Sequence, residues 1–348
     1  MKRTKNSIMQ NLPSIESCMA PSAKLPALTA YESAMLNLIY NSDHASHLTL
    51  RDGTNHFREM ARERGLEEST VIQTAIQDME LIGKELATAR AGASGERAVE
   101  KALRYVDRRK ATLSNVILSD GEDRTELDQV VITSNGILIL EVKNYKADIT
   151  ITEAGLVYGF KRKHLSDKSL GTQMNLKRYL LRKKIEEELG NLDIPVHIES
   201  RIVFSNPSIS VTDNYQLEKY CFTATLPQEV EAFTSDVEYG LDEMKIIAAV
   251  IESVAEEEMV YDIGLDFERI NENFAEALIL LESQTSDNHP CGSGSDDQTS
   301  TEAKTPSQNI GHNLVQECCE HPKVAWAAGL AGLALGAGIV CCFVRKGK

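Results

Sequence analysis

Two adjacent segments, ELDQVVIT at residues 126–133 and GILILEVK at residues 136–143, decide the fold of this chain. Both consist mainly of β-branched and apolar residues, and only a Ser-Asn pair separates them, so we predict a β-hairpin. The second segment is an almost continuous apolar run that ends in Glu141 and Lys143. Because a charged pair at the end of such a run is costly to bury, we expect these two residues to be paired or functional.

The segments around this hairpin alternate between helical and strand patterns. Apolar residues recur at helical spacing before and after it, and short β-rich runs lie on both sides. The predicted elements are an amphipathic helix at 94–106, a strand at 114–118, a second hairpin at 149–160, a long helix at 170–189 and a strand at 197–205. Helices and strands in this order predict an α/β or α+β domain with a mixed sheet.

Asp128, Glu141 and Lys143 form the candidate chemical centre. Glu141 and Lys143 are two residues apart on a strand and project to one face, and the hairpin can bring Asp128 beside them. Two close carboxylates repel each other, and a divalent cation that prefers oxygen ligands, such as Mg²⁺, relieves this repulsion. Such a cation polarises a phosphoryl oxygen and activates water, while a lysine offsets developing negative charge. The alternative is a strand-end salt bridge between Lys143 and a carboxylate.

Four short motifs follow one another in a recognisable order. They are Gly95-Glu96 at the start of a helix, Glu126-Leu127-Asp128 on one strand, Glu141-Val142-Lys143 at the end of the next, and Gln173 in the following helix. Over about residues 93–210, this order resembles the nuclease-related domain (NERD) family. That family is similar to the PD-(D/E)xK nucleases, so the resemblance implies a restriction-endonuclease-like mixed sheet flanked by helices.

The resemblance also implies roles for individual residues. Glu96, Asp128 and Glu141 would be the metal-side acids for Mg²⁺ or Mn²⁺. Lys143 would be the catalytic lysine, and Gln173 a helix residue that orients the site. The implied reaction is the hydrolysis of phosphodiester bonds.

The chain has one concentrated basic stretch, between residues 161 and 184, which surrounds Gln173 and holds nine Lys or Arg against one Asp. A nuclease needs cations that hold phosphates beside an acidic site. The candidate nucleic-acid contacts, with DNA favoured over RNA, are Lys161, Arg162, Lys163, Lys177, Arg178 and Arg182. The alternative is a solvated helix face whose cations pair with the glutamates at 186–188.

An uncharged segment near the end of the chain, residues 324–344, reads VAWAAGLAGLALGAGIVCCFV. At ~1.5 Å of rise per residue, a helix of this length spans roughly 31 Å, the thickness of a hydrocarbon core. We predict a single-pass membrane anchor there, with the large N-terminal part in the cytoplasm; a buried helix rich in Ala and Gly is the alternative. Gly332 and Gly336 have the GxxxG spacing of helix pairs and predict a homodimer.

The composition bounds the classes of protein that fit. The chain has 348 residues, a formal net charge of −15, 42% hydrophobic and 26% charged residues, which excludes a fully disordered or collagen-like chain. The acidity argues against a general coat on nucleic acid but allows a local basic groove. Seven cysteines without a Cys-x-x-Cys pair or zinc spacing indicate a reducing compartment.

These patterns together predict seven regions along the chain. They are a disordered N-terminus at 1–29, a helical region at 30–92, a NERD-like domain at 93–235, acidic helices packing on its core at 236–283, a flexible linker at 284–322, a transmembrane helix at 323–344 and a basic tail at 345–348. The leading hypothesis is a membrane-anchored, metal-dependent nuclease. The alternative is a non-catalytic, tail-anchored scaffold that keeps the nuclease-like fold and binds nucleic acid or protein.

Overall fold

The computed structural model describes residues 3–42, 45–159, 163–166, 168–190, 194–217, 219–258 and 260–284. Its helices are α1 (Lys5–Gln10), α2 (Pro21–Tyr40), α3 (Leu50–Glu63), α4 (Thr70–Leu103), α5 (Leu170–Leu189), α6 (Leu226–Ala232), α7 (Leu241–Val254) and α8 (Phe267–Ser283). Its strands are β1 (Cys18–Met19), β2 (Lys110–Ser119), β3 (Arg124–Thr133), β4 (Gly136–Lys143), β5 (Ile149–Ile151), β6 (Val157–Tyr158), β7 (Ile198–Phe204), β8 (Val211–Asp213), β9 (Tyr220–Phe222) and β10 (Tyr261–Asp262). No helix in these ranges is long and apolar enough to cross a membrane. The predicted anchor, with Gly332 and Gly336, lies outside them.

A five-stranded mixed sheet in the order β2-β3-β4-β7-β9 forms the centre of the fold. The first three strands are antiparallel, and β4, β7 and β9 run parallel. The predicted hairpin is confirmed, because β3 pairs with β4 from Thr133 opposite Gly136 to Gln129 opposite Leu140. Gly136 has a φ of +124° in this tight turn, a backbone conformation that favours glycine. Smaller sheets join β6, β5 and β8, and β1 with β10.

Helices cover both faces of the central sheet, which confirms the predicted mixed α/β class. Ile137 and Ile139 of β4 belong to the core that includes residues of α5 and α7. Leu138 and Leu140, on the opposite face, belong to the core that includes residues of α4 and α6. Because β4 is buried on both faces, its apolar run holds the strand firmly and fixes the position of the charged residues at its carboxyl end.

The boundary predicted at residue 92 lies inside one helix. The structure shows α4 as a continuous helix of 34 residues that passes through Gly92. Leu86, before this glycine, is buried in one core, and Val99, after it, is buried in another. Packing at both ends outweighs the cost of about 1 kcal/mol for an internal glycine, so the helix does not end there.

The N-terminal region and α8 form a third hydrophobic core. Residues 1–29 were expected to be unstructured, yet they contain α1 and the start of α2, where Ile8 and Leu28 are fully buried. Of the two acidic helices expected on the sheet, α7 packs there, whereas α8 packs with the N-terminal helices. Burial of the apolar side of α8 orders an N-terminus that has little internal pattern of its own.

Candidate active site

The carboxyl end of β4 presents Glu141 and Lys143 on one face of the sheet. Glu141 is 4% exposed, and its Oε1 accepts a hydrogen bond of 2.6 Å from Nζ of Lys143. The i, i+2 spacing on the strand brings these two side chains together, as the sequence predicted. The ion pair is what the salt-bridge alternative requires, so this contact alone does not separate a structural role from a catalytic one.

Asp128 reaches the same strand end from β3. Its Oδ2 accepts a hydrogen bond of 2.6 Å from the backbone N–H of Val142, the residue between Glu141 and Lys143. The side chain of Asp128 is 22% exposed, so this carboxylate remains open to solvent on one side. The register of the hairpin therefore places the three residues of the candidate centre around one point.

A fourth charged group, Lys177 of α5, completes the cluster. Its ammonium forms an ion pair with Oε2 of Glu141 and lies 3.6 Å from Oδ1 of Asp128. Lys177 is 6% exposed. It was expected to contact phosphates from the protein surface, but the structure buries its ammonium against the two carboxylates. From the sequence, Gln173, one helical turn before Lys177, was expected to be the residue of this helix that contributes to the site.

The ionisation of these groups follows from burial and from the charges around them. Burial raises the pKa of Asp128 above its ordinary value, and the negative charge of Glu141 raises it further. Burial alone would also raise the pKa of Glu141, but the ammonium groups of Lys143 and Lys177 hold it below its ordinary value. Burial disfavours charged Lys143, yet Glu141 and Asp128 raise its pKa. Lys143 is therefore a cation and a hydrogen-bond donor at neutral pH.

Two further carboxylates lie close enough to Asp128 to respond to its charge. Burial raises the pKa of Glu96 on α4, and the negative charge of Asp128 adds to this effect. The same two causes raise the pKa of Glu126, which sequence reasoning placed in a motif without giving it a role. Glu126 lies two residues before Asp128 on the same strand, and this spacing places both side chains on one face of the sheet. The sequence pattern could therefore have identified Glu126 as part of the site.

The close approach of α4 to β4 depends on Gly95. A Cβ atom on this residue would lie 3.1 Å from Oγ of Ser205 and 3.2 Å from side-chain atoms of Asn144 and Val142. The absence of a side chain therefore lets the helix bring Glu96 to the strand end. The close packing of α4 on β4 therefore explains why a glycine precedes Glu96 in the Gly95-Glu96 motif.

Gln173 does not join the acids. Its Nε2 donates a hydrogen bond of 3.1 Å to the carbonyl of Lys168 and a weaker one of 3.5 Å to Oγ of Ser166. Gln173 therefore holds the segment that leads into α5, and it can orient the site only through this helix. Lys177, on the next turn, is the residue of α5 that contacts the carboxylates.

The remaining candidate phosphate contacts lie elsewhere on α5 or before it. Lys163 is exposed. Arg178 donates to Asn175, whereas Arg182 pairs with Glu186 at 3.4 Å and donates to the carbonyl of Val196. Lys161 and Arg162 lie outside the described residues.

The donor chemistry of the cluster fits a hard divalent cation, because Glu96, Asp128 and Glu141 offer only carboxylate oxygens. Nevertheless, no group of three or more His, Cys, Asp or Glu side chains within the ranges described above is arranged to hold a metal ion. The ammonium of Lys177 contacts both Asp128 and Glu141, so it already supplies a positive charge to both carboxylates. A divalent cation at these oxygens would therefore compete with Lys177 for the two carboxylates.

Comparison with known proteins identifies the part of the chain that carries this cluster. Residues 91–205 match the family model described as the nuclease-related domain, NERD, which confirms the resemblance read from the motifs. No curated protein and no solved structure matches the chain. The matched segment includes Glu96, the β3–β4 hairpin and Lys177.

Proposed function

Because residues 91–205 match the nuclease-related domain, we propose that the chain hydrolyses phosphodiester bonds of nucleic acid, DNA in preference to RNA, with Mg²⁺ or Mn²⁺. The observation that supports this most is the meeting of Asp128, Glu141 and Lys143 at the end of β4. The restriction-endonuclease-like character of the fold belongs to the same proposal. Its support is the mixed sheet, with one acid from α4 and two acids and a lysine from adjacent strands.

Each side chain has a role that its environment permits. Asp128 and Glu141, with Glu96 beside them, would hold the divalent cation through carboxylate oxygens. When bound, such a cation supplies charge to a phosphoryl oxygen and lowers the pKa of a bound water. Lys143 carries a positive charge next to these acids and would donate hydrogen bonds to phosphate oxygens as negative charge develops on them.

Lys177 favours a second candidate function, a nuclease-like fold that binds nucleic acid or protein without catalysis. Its ammonium compensates both carboxylates, as expected for a purely structural ion cluster. Metal binding separates the two functions. An enzyme should show a Mn²⁺-dependent rise in melting temperature that Glu141→Gln removes, whereas a scaffold should show no metal-dependent rise.

The proposal is tested by incubating the full-length chain with fluorescent DNA and RNA strands in Mg²⁺ or Mn²⁺. Asp128→Asn should abolish cleavage, because it removes an acid of the site with little change in shape. Asp120→Asn is a matched control, because Asp120 lies in the turn between β2 and β3 and pairs with Lys183 of α5, apart from the acidic cluster. Absence of cleavage by the unmodified chain in either metal would refute hydrolysis, as would full activity of Asp128→Asn.

The membrane anchor remains part of the proposal. Its support is the uncharged segment at residues 324–344, flanked by basic residues. Expressed in cells, the full-length chain should sediment with membranes and resist extraction at alkaline pH, and a chain that ends at residue 322 should not. Crosslinking of the full-length chain that is insensitive to Gly332→Ile would refute a dimer through Gly332 and Gly336.

A further inference from the structure

A large groove lies between the helical region and the end of β4. Its volume is about 870 Å³, and its walls come from α2, α3, α4 and the segment that follows β4. Asn144 joins two of these walls, because its Nδ2 donates a hydrogen bond of 2.7 Å to the carbonyl of Ala91 on α4. The groove is therefore lined on one side by helices of the N-terminal core and on the other by the segment after β4.

The groove is basic although the chain as a whole is acidic. Its charged lining residues are Arg51, Arg58, Lys84, Arg90, Lys146, Glu32 and Glu80. Five cations against two acids give a local net charge of +3, whereas the chain carries −15. Concentrating positive charge in a concave surface attracts anions and raises their local concentration.

The two acids of the groove are already paired. Glu80 forms an ion pair with Arg58, and Glu32 forms one with Arg90. Glu32 also accepts a hydrogen bond of 2.8 Å from the backbone N–H of Leu50. These contacts position two arginines on the groove wall, and both arginine side chains remain more than 40% exposed.

The other three cations, Arg51, Lys84 and Lys146, have exposed side chains. None of them forms an ion pair with an acid in the part of the chain that the structure describes. They come from α3, α4 and the segment after β4, so they face the groove from three walls. Such an arrangement suits a ligand with several negative charges along its length better than a single small anion.

The groove and the candidate active site share two segments of the chain, α4 and the end of β4. On α4, the lining residue Ser94 precedes Glu96 by two residues, about 3 Å along the helix axis. After β4, Lys146 follows Lys143 by three residues, which limits the separation of their Cα atoms to roughly 11 Å. A chain of phosphates in the groove would therefore lie against the two segments that also carry Glu96 and Glu141.

We propose that this groove binds the phosphate backbone of the nucleic acid on which the adjacent site acts. The inference rests on the proposed function for the identity of the polyanion. It assigns the contact to Arg51, Lys84 and Lys146 rather than to the basic stretch around α5. Helices α3 and α4 then form two walls that contact backbone phosphates.

The test measures binding of a fluorescent 20-nucleotide DNA strand, single or duplex, to the full-length chain in EDTA, where cleavage does not interfere. The triple variant Arg51→Ala, Lys84→Ala, Lys146→Ala removes the unpaired groove cations. The matched control removes three exposed cations outside the groove: Lys101→Ala, Arg104→Ala, Arg109→Ala. Because all six side chains are exposed, both variants should keep the melting temperature of the unmodified chain.

We expect the groove variant to bind at least 10-fold more weakly than the control variant. The salt dependence of its binding, as the slope of log K against log salt, should fall by about 2 for single-stranded DNA if three phosphate contacts are lost. Equal binding by the two variants, or no binding by the unmodified chain, would overturn the inference. If the groove variant loses binding and the unmodified chain cleaves nothing in Mg²⁺ or Mn²⁺, the groove stands and the proposed hydrolysis fails.

Discussion

The ammonium of Lys177 on α5 is buried against the carboxylate of Glu141 at the end of β4. This ion pair fixes the helix to the strand end that carries the candidate chemistry. It also gives the site a positive charge of its own, close to both Glu141 and Asp128. The functional question is therefore whether the site holds a divalent cation in addition to this lysine or in its place.

Lys177→Met should destabilise the protein in EDTA by about 3 kcal/mol, because it removes one of the two ammonium groups that neutralise the buried carboxylate of Glu141. The same change should increase the rise in melting temperature that Mn²⁺ produces, since Oε2 of Glu141 and Oδ1 of Asp128 lose the ammonium that competes with the cation. Lys183→Met, on the same helix but in a half-buried pair with Asp120 away from the acidic cluster, serves as the control. Thermal melts with and without Mn²⁺ measure both effects. A Lys177→Met variant with the stability of the control in EDTA would contradict the buried ion cluster.

Two glycines of α4 should respond in opposite directions to alanine. Gly95→Ala places a Cβ against Val142, Asn144 and Ser205 and should cost about 1–3 kcal/mol through overpacking. A Cβ atom on Gly92 would point into open space, with no neighbouring atom within 4 Å, so Gly92→Ala should stabilise the helix by about 0.5–1 kcal/mol. Urea denaturation of the two variants measures the difference. Equal effects at both positions would show that α4 does not approach β4 as described.

Glu199 of β7 should make stability depend on pH. Burial alone would raise its pKa, but hydrogen bonds from Lys219 and Arg201 lower it to about 2. A carboxyl whose pKa is depressed on folding contributes stability above its ordinary pKa near 4.5, and this contribution is lost as the pH falls toward 2. Glu199→Gln should therefore cost about 1–3 kcal/mol at pH 7 and progressively less below about pH 4.5.

The measurement for Glu199 is the free energy of unfolding as a function of pH, with Glu238→Gln as an exposed control. A cost for Glu199→Gln that stays constant from about pH 7 to about pH 2 would show that the ion pairs with Arg201 and Lys219 contribute nothing.

The central hairpin and the three residues at its end could be predicted from the sequence, because strand periodicity and a two-residue turn fix the register. Once the register is set, the meeting of Asp128, Glu141 and Lys143 follows from local geometry. The mixed sheet between helices followed from the order of elements, and the motif order identified the domain that residues 91–205 match.

The role of Lys177 could not be predicted in the same way. Whether Gln173 or Lys177 faces the carboxylates depends on how α5 is rotated on the sheet, and this rotation is set by tertiary packing. The same limit applies to α8, whose apolar stripe fits either core by pattern alone. The cations Arg51, Lys84 and Lys146 are far apart in sequence, so no local charge pattern indicated the groove that they share.

The rate of metal-dependent DNA cleavage by Lys143→Met, compared with the unmodified full-length chain, is the most direct measurement of hydrolysis at this site. Lys245→Met, which removes a cation on α7 paired with Asp242, is the control. Loss of a group that stabilises charge in the transition state typically costs about 10²–10³ in rate. We expect a loss of this size for Lys143→Met, with DNA binding in EDTA and the rate of the control unchanged. Cleavage by Lys143→Met at the rate of the unmodified chain, or no cleavage by any of the three proteins, would contradict a nuclease centred on Asp128, Glu141 and Lys143.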